Sequence, residues 1–219
     1  MEIKEVMKSR HSVRSFTDRK IEGETKAALA AAIEECNAKS GLHIQLILDE
    51  PAAFDGMLAH YGKFQNCRNY IAIAGKNGNA ESVGYYGEKV VLAAQALGLN
   101  SCWVAMSYSR GKVPCELNKG EKLQIVIALG YGKTQGVPHK SKPMESLCKV
   151  DGGMPDWFKS GMEAVMLAPT AINQQKFMFA MKDQTVSVRP GIGFYTKIDL
   201  GIAKCHFELG AGMDNFTWA

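Results

Sequence analysis

The sequence predicts a mixed α+β fold, and three observations carry that prediction. Helical and strand-like runs follow one another without the regular strand–helix–strand alternation of a parallel sheet. A stretch rich in Gly, Pro, Lys and Ser, from Gly130 to Gly153, separates two unequal sets of such runs. Apolar residues make up 46% of 219, enough to bury a substantial core. A single domain over 1–219 is expected, with an N-terminal lobe over 1–150 and a C-terminal lobe over 151–219.

Ile3, Val6 and Met7 share one helical face, so a short helix over Met1 to Lys8 delivers the polar segment Ser9-Arg10-His11-Ser12-Val13-Arg14 at its end. An alanine-rich helix follows from Glu24 to Ala38, with Leu29, Ile33 and Cys36 on one side. After Gly41 the run His43 to Leu48 reads as a strand, as does Asn69 to Ala74. Val83, Val90, Val91, Ala94 and Leu97 give the stretch Glu81 to Leu97 an apolar helical face, and Gly98 ends it. Strands are expected over Ser101 to Met106 and Gln124 to Leu129, on either side of a polar link holding Pro114.

Beyond the long connection come a helix over Asp156 to Leu167, strands over Phe177 to Met181 and Gln184 to Val188, and a helix over Lys197 to Leu209 with Ile198, Ile202, Cys205 and Leu209 on one face. No exact internal repeat stands out. The helices around Glu88–Ala94 and Ile202–Phe207 nevertheless hold similar places relative to their strands, which suggests a pseudo-twofold arrangement.

The charge balance, 26 basic against 22 acidic residues, is dispersed rather than blocked, which favours a small anionic ligand and speaks against nucleic acid. The N-terminus lacks the apolar core and cleavage site of a secretory signal, and no run approaches the roughly 20 apolar residues of a membrane span. Six cysteines without a C-x-x-C pair read as reduced structural thiols, and a cytoplasmic location is expected.

Three polar segments could carry chemistry. Arg10, Ser12 and Arg14 alternate, so an extended backbone turns two guanidinium groups and a hydroxyl to one side, a donor set suited to a phosphate; a solvated basic loop is the plainer alternative. In Ala168-Pro169-Thr170-Ala171-Ile172-Asn173-Gln174-Gln175, Pro169 ends the preceding helix, and Thr170, Asn173 and Gln175 can either pair with the polar edge of a planar heterocycle or merely cap a turn. His139-Lys140-Ser141-Lys142 could return to the same anion or lie in solvent.

Other motifs fail on spacing. Gly132-Lys133-Thr134 imitates the end of a P-loop, but Ile127 stands where its first glycine belongs, and Gln135 replaces the third glycine of a dinucleotide fingerprint. The five histidines lack zinc-ligand spacing, and no Ser-His-Asp or Cys-His constellation can be assembled, so neither a metal nor a protein acid or base is assigned.

Taken in order, these segments resemble the FMN-dependent nitroreductase family. Ser9-Arg10-His11-Ser12-Val13-Arg14-Ser15-Phe16 is similar to the family's R-[RH]-S-x-[RK]-x-F signature, and Ala93-Ala94-Gln95-Ala96-Leu97-Gly98-Leu99-Asn100-Ser101 to its A-A-x-A-L-G-L-x-S passage. Leu129-Gly130-Tyr131-Gly132 and Lys140-Ser141-Lys142-Pro143-Met144-Glu145 are similar to its closing segments. The segment Ala168 to Phe177 resembles A-P-S-A-x-N-x-Q-P-W, which members usually carry after the second helix; here it follows the closing segment, with Lys176 and Phe177 in place of Pro-Trp. That order resembles a rearranged subgroup.

The resemblance implies a nitroreductase-like fold with a central, mostly antiparallel sheet flanked by helices. It implies FMN as cofactor and NADH or NADPH as electron donor to a nitroaromatic, quinone or similar small acceptor. Arg10, Ser12, Lys140 and Lys142 would approach the FMN phosphate, Arg14 the flavin N1/O2 edge, and Asn173 and Gln175 the flavin or its ribityl chain, with His11, Pro169 and Thr170 also binding the cofactor. The backbone at Ala105 and Met106 would face flavin N5. Members of this fold also perform reductive dehalogenation or flavin fragmentation, and a non-catalytic flavin-binding protein is a further alternative. The resemblance is compatible with a homodimer or with a pseudo-dimeric monomer in which the C-terminal lobe replaces a partner.

Overall fold

A computed structural model describes residues 2–219; Met1, which the opening-helix reading includes, lies outside the described residues. The elements in chain order are α1 (Ile3–Ser9), α2 (Gly23–Ser40), β1 (His43–Ile47), α3 (Met57–Tyr61), β2 (Asn69–Gly75), α4 (Ala80–Ala96), β3 (Asn100–Val104), β4 (Lys122–Gly130), β5 (Cys148–Val150), α5 (Asp156–Val165), β6 (Phe177–Lys182), β7 (Thr185–Pro190), α6 (Thr196–Ala211) and β8 (Thr217–Trp218). Eleven of these coincide with the sequence-based expectations. The short α3, β5 and β8 do not appear among those expectations: three to five residues are too few for a hydrophobic period to show.

The chain divides into two compact units. One comprises Met1–Lys8, Ala80–Glu88 and Pro138–Ala219; the other comprises Ser9–Asn79 and Lys89–Val137. The division falls at Pro138, and the first part of α4 groups with the C-terminal residues because its backbone meets α6. A Cβ on Gly84 would overlap the Ile198 carbonyl oxygen, and a Cβ on Gly201 would overlap that of Glu81. Only glycine lets two helices approach backbone to backbone in this way.

In the second unit the sheet is antiparallel throughout, in the order β1-β2-β4-β3. Tyr70 to Ala74 on β2 and Val126 to Leu129 on β4 have almost no exposure, so these strands read as unbroken apolar runs rather than alternating ones. β3 leaves α4 through Gly98, whose φ of 79° lies in the left-handed region that side chains disfavour.

In the first unit a separate sheet has the order β5-β6-β7-β8, with β6 and β7 antiparallel and the short edges β5 and β8 parallel to their neighbours. Its core is a ring cluster. Phe207 stacks on Phe179 at 5.0 Å and meets Phe158 and Phe216 edge-on at 5.4 and 5.1 Å. α6 is buried nearly all round, beyond the single face that its periodicity predicts. Its polar residues are therefore partnered: His206 Nδ1 donates to the Ala164 carbonyl at 2.9 Å, and its Nε2 lies 2.9 Å from Glu88 Oε1.

A similar order of elements occurs twice along the chain: β1, β2, α4 and β3 in its first part, and β6, β7, α6 and β8 in its last. Gly84, Leu92 and Ala94 of α4 recur at identical spacing as Gly201, Leu209 and Ala211 of α6, and each helix leads into Asn-x-x-Trp, Asn100–Trp103 and Asn215–Trp218. The two helices thus share a spacing of glycine, leucine and alanine. All six cysteines are free; five are buried and Cys115 is partly so. No helix among the described residues is long and apolar enough to cross a membrane, and no cluster of His, Cys, Asp or Glu among them could hold a metal.

Candidate functional site

Two sets of predicted site residues exist, one in each unit. In the second unit, the segment after α1 is extended because it pairs with β3. Ser12 and Ser101 form a parallel bridge, and Val13 N–H donates to the Ser101 carbonyl at 3.0 Å. Val13 and Phe16 consequently turn into the core while Ser12 and Arg14 turn outward. The alternation expected from the sequence holds for Ser12 and Arg14. Arg10 departs from it: its side chain is only 3% exposed.

The loop after β4 closes on this segment. A Cβ on Gly136 would lie 2.7 Å from His11 Cβ, and one on Gly132 would lie 2.9 Å from Val13 Cγ1. Gly132 N–H donates to Asn100 Oδ1 at 3.0 Å, and Asn100 Nδ2 donates to Gln135 Oε1 at 3.0 Å. Glycines here are a packing requirement. Burial, with the positive charge of Arg10 beside it, lowers the His11 pKa against a hydrogen bond that the ring donates to the Arg10 backbone carbonyl, so the neutral imidazole is favoured near pH 7. Burial raises the Cys102 thiol against the pull of Arg14, a hydrogen bond with Ser12, and Arg10. Cys102 is thus an uncharged floor beneath a cationic segment.

The β3 ladder to β4 ends at Val104, so the N–H groups of Ala105 and Met106 lie past the last paired residue, in a bend that runs to Tyr108. Tyr108 is buried and stacks with Phe54 at 6.2 Å. Met106 points outward, 73% exposed.

In the first unit, the loop after α5 is held by its own amides. Gln175 is buried; its Oε1 accepts from Lys142 N–H at 2.8 Å, and its Nε2 donates to the Lys140 carbonyl and to Asn173 Oδ1, both at 2.9 Å. Asn173 Nδ2 also donates to the Lys140 carbonyl, at 2.8 Å. The Lys142 ammonium donates to the Gln174 and Gln175 carbonyls at 2.8 and 3.3 Å. Thr170 Oγ1 accepts from Gln175 N–H at 3.1 Å, directly after Pro169. The structure therefore brings together Lys140, Lys142, Thr170, Asn173 and Gln175, and it gives the Gln175 amide the task of joining two loops.

That joining sustains an unfavourable backbone. Ile172, Asn173 and Gln175 all have positive φ, at 47°, 56° and 45°, a region costing a side chain about 1–2 kcal/mol. Sequence reasoning missed the residue that anchors the turn. Asp199 on α6 accepts from Ala171 N–H at 2.9 Å and from Gln174 Nε2 at 2.7 Å. Burial raises its pKa despite both bonds. Its signal was faint: one acidic residue in the first turn of a helix.

The extended cationic segment, the glycine-tight loop and the bend after β3 all belong to the second unit. The chain belongs to the family whose model is described as "Putative TM nitroreductase", which matches residues 2–211. It is similar to the structure of a "putative nitroreductase" from Thermotoga maritima, at 22% identity over 96% of this chain and 83% of that one, with a TM-score of 0.68. It also resembles one from Desulfovibrio desulfuricans solved with FMN, at 17% identity over 71% and 99% of the two chains, TM-score 0.55. Another, from Exiguobacterium sibiricum and likewise in complex with FMN, shares 13% over 67% and 95%, TM-score 0.51. These likenesses establish the nitroreductase-like fold. Among the curated proteins, none matches the chain.

Proposed function

We propose that the protein is an FMN-dependent oxidoreductase that takes hydride equivalents from NADH or NADPH and passes them to a nitroaromatic, quinone or similar small acceptor. The observation that carries this reading is the segment after α1, where pairing with β3 fixes Ser12 and Arg14 outward in an extended backbone. The Arg10 guanidinium, the Ser12 hydroxyl and the neutral His11 imidazole are a donor set that suits a phosphate monoester, and arginine contacts give it direction as well as energy. Family membership and the FMN present in two similar structures support the choice of group.

When bound, FMN supplies the hydride chemistry. The chain supplies position and charge. Arg10, His11 and Ser12 are assigned to the phosphate, Arg14 to the charge that reduction places on the flavin N1/O2 edge, and the N–H groups of Ala105 and Met106 to its N5 side. Lys140, Lys142, Pro169, Thr170, Asn173 and Gln175 enter through the family pattern.

The test is an absorbance spectrum of the purified protein supplied with FMN, before and after anaerobic addition of NADH and then NADPH. Bleaching of the flavin bands supports a reductase and identifies its donor. Persistent bands would exclude nicotinamide as the donor, and no bound flavin would overturn the reading. Arg14→Gln should weaken FMN by about 1.5–3 kcal/mol, the worth of a hydrogen bond to a charged group.

A further inference from the structure

The loop between β7 and α6, Gly191-Ile192-Gly193-Phe194-Tyr195, lies against the loop that follows α5. Gly191 N–H donates to the Lys176 carbonyl at 2.7 Å, Gln174 Nε2 to the Phe194 carbonyl at 2.8 Å, and the Lys176 ammonium to the Ile192 carbonyl at 2.8 Å. A Cβ on Gly193 would lie 2.7 Å from Gln174 Oε1, so this approach requires glycine. The Gln174 amide is held in turn by Asp199. Both loops are therefore fixed from within.

What they present is apolar. Ile172, Ile192 and Phe194 are 96%, 95% and 86% exposed. Side chains so nearly bare stand on a convex surface, whereas small molecules are held in concave sites. Single exposed hydrophobics are ordinary, but three on two anchored loops mark a contact surface.

The charge around them points to the partner. Lys176, Arg189 and Lys197 are exposed and lie in these loops or directly beside them. Lys140 and Lys142 are joined to the same turn by hydrogen bonds. The segments 139–142, 170–176 and 189–198 carry these five cations and no Asp or Glu. Asp199, which reaches the turn from α6, is buried.

We propose that this face docks the protein peripherally on an anionic lipid bilayer, with Ile192 and Phe194 entering the headgroup boundary and Lys176, Arg189 and Lys197 meeting the lipid phosphates. Such binding grows with the apolar area buried and with attraction to anionic lipid, and it needs no spanning helix. A second copy of the chain fits less well. Three side chains fall short of the roughly 800 Å² that a stable interface takes from each partner, and two copies would set like charges against each other. Lys140 and Lys142 are assigned to FMN above, so the other three cations carry the docking, which stands whether or not the flavin reading does.

The experiment sediments the full chain with vesicles of three parts phosphatidylcholine to one of phosphatidylglycerol, and with pure phosphatidylcholine, at about 0.1 M salt. Binding to the mixed vesicles and none to pure phosphatidylcholine is expected. Phe194→Ser should weaken binding roughly tenfold or more, the worth of one buried ring. Lys197→Gln should weaken it about fivefold, the worth of one cation at an anionic surface. Lys182→Gln, at the opposite end of the β6–β7 hairpin, should bind as the parent does. All three positions are exposed, so melting temperatures should not move. A parent that ignores the mixed vesicles would overturn the proposal, as would equal losses in Lys182→Gln and Lys197→Gln, which would mean diffuse charge alone. Undiminished binding by Phe194→Ser would overturn the role of the apolar tips and the docking face with it. If the parent runs as a dimer without lipid and Phe194→Ser as a monomer, the face belongs to a second copy and the proposal fails.

Discussion

The two units rest on different means of support. In the second unit, two interior strands, β2 and β4, are buried along nearly their whole length and hold the sheet together by antiparallel ladders. In the first, the sheet has edges of three and two residues, and its core depends on rings packed between the strands and α5 and α6. The polar segments diverge in the same sense. The segment from Ser12 to Arg14 is held by backbone pairing, with one side-chain bond between Ser12 and Cys102, and the Arg14 side chain turns outward. The loop from Pro169 to Gln175 is held by side-chain amides, which are thereby consumed. Whether a family motif presents its polar groups or spends them depends on which kind of bond fixes its backbone.

The largest break in the comparison should come from Phe207→Ala. It removes the centre of the ring cluster, at a cost of about 4 kcal/mol and a fall in melting temperature of roughly 10 °C for a chain of this size. Gly201→Ala should follow at about 3 kcal/mol, because the new Cβ meets backbone rather than a movable side chain; denaturant unfolding reads it. In the second unit the counterparts are milder. Ile127→Val on β4 should cost about 1 kcal/mol, as should Gly98→Ala, where space is open and only the positive φ is strained. A ranking that placed the β4 change above Phe207→Ala would reverse the assignment of which unit leans on single residues.

The smallest effect is a slope. Burial raises the pKa of Asp199 above its unfolded value. Its contribution to stability is therefore complete below about pH 3.9, the unfolded value, and is lost as pH rises through the folded one. Asp199→Asn should flatten the dependence of unfolding free energy on pH in that acid range, and a variant with the parent's slope would show that Asp199 is not its source.

The long elements were legible because their periodicity runs over many residues: α2 and α4 were placed within two residues of their ends, and β2 and β4 by their unbroken apolar runs. The segment Arg10 to Arg14 was legible as a candidate site because alternation is visible in a row of letters. What was hidden depends on contacts between distant residues. Nothing in the letters said that Arg10 would be buried, that Gln175 would join two loops, or that Asp199 would anchor a turn far from it in sequence. The role of Gly84 and Gly201 was hidden too, because it appears only where the two helices touch.

Five thiols out of water and one at the edge also give the protein a reporter of its own state. In a folded sample a maleimide reaches Cys115 alone, while Cys36, Cys67, Cys102, Cys148 and Cys205 are shielded. Each further label then counts a molecule that has opened. Since Cys67 and Cys102 belong to the second unit and Cys148 and Cys205 to the first, the order in which they take up label records which unit opens first.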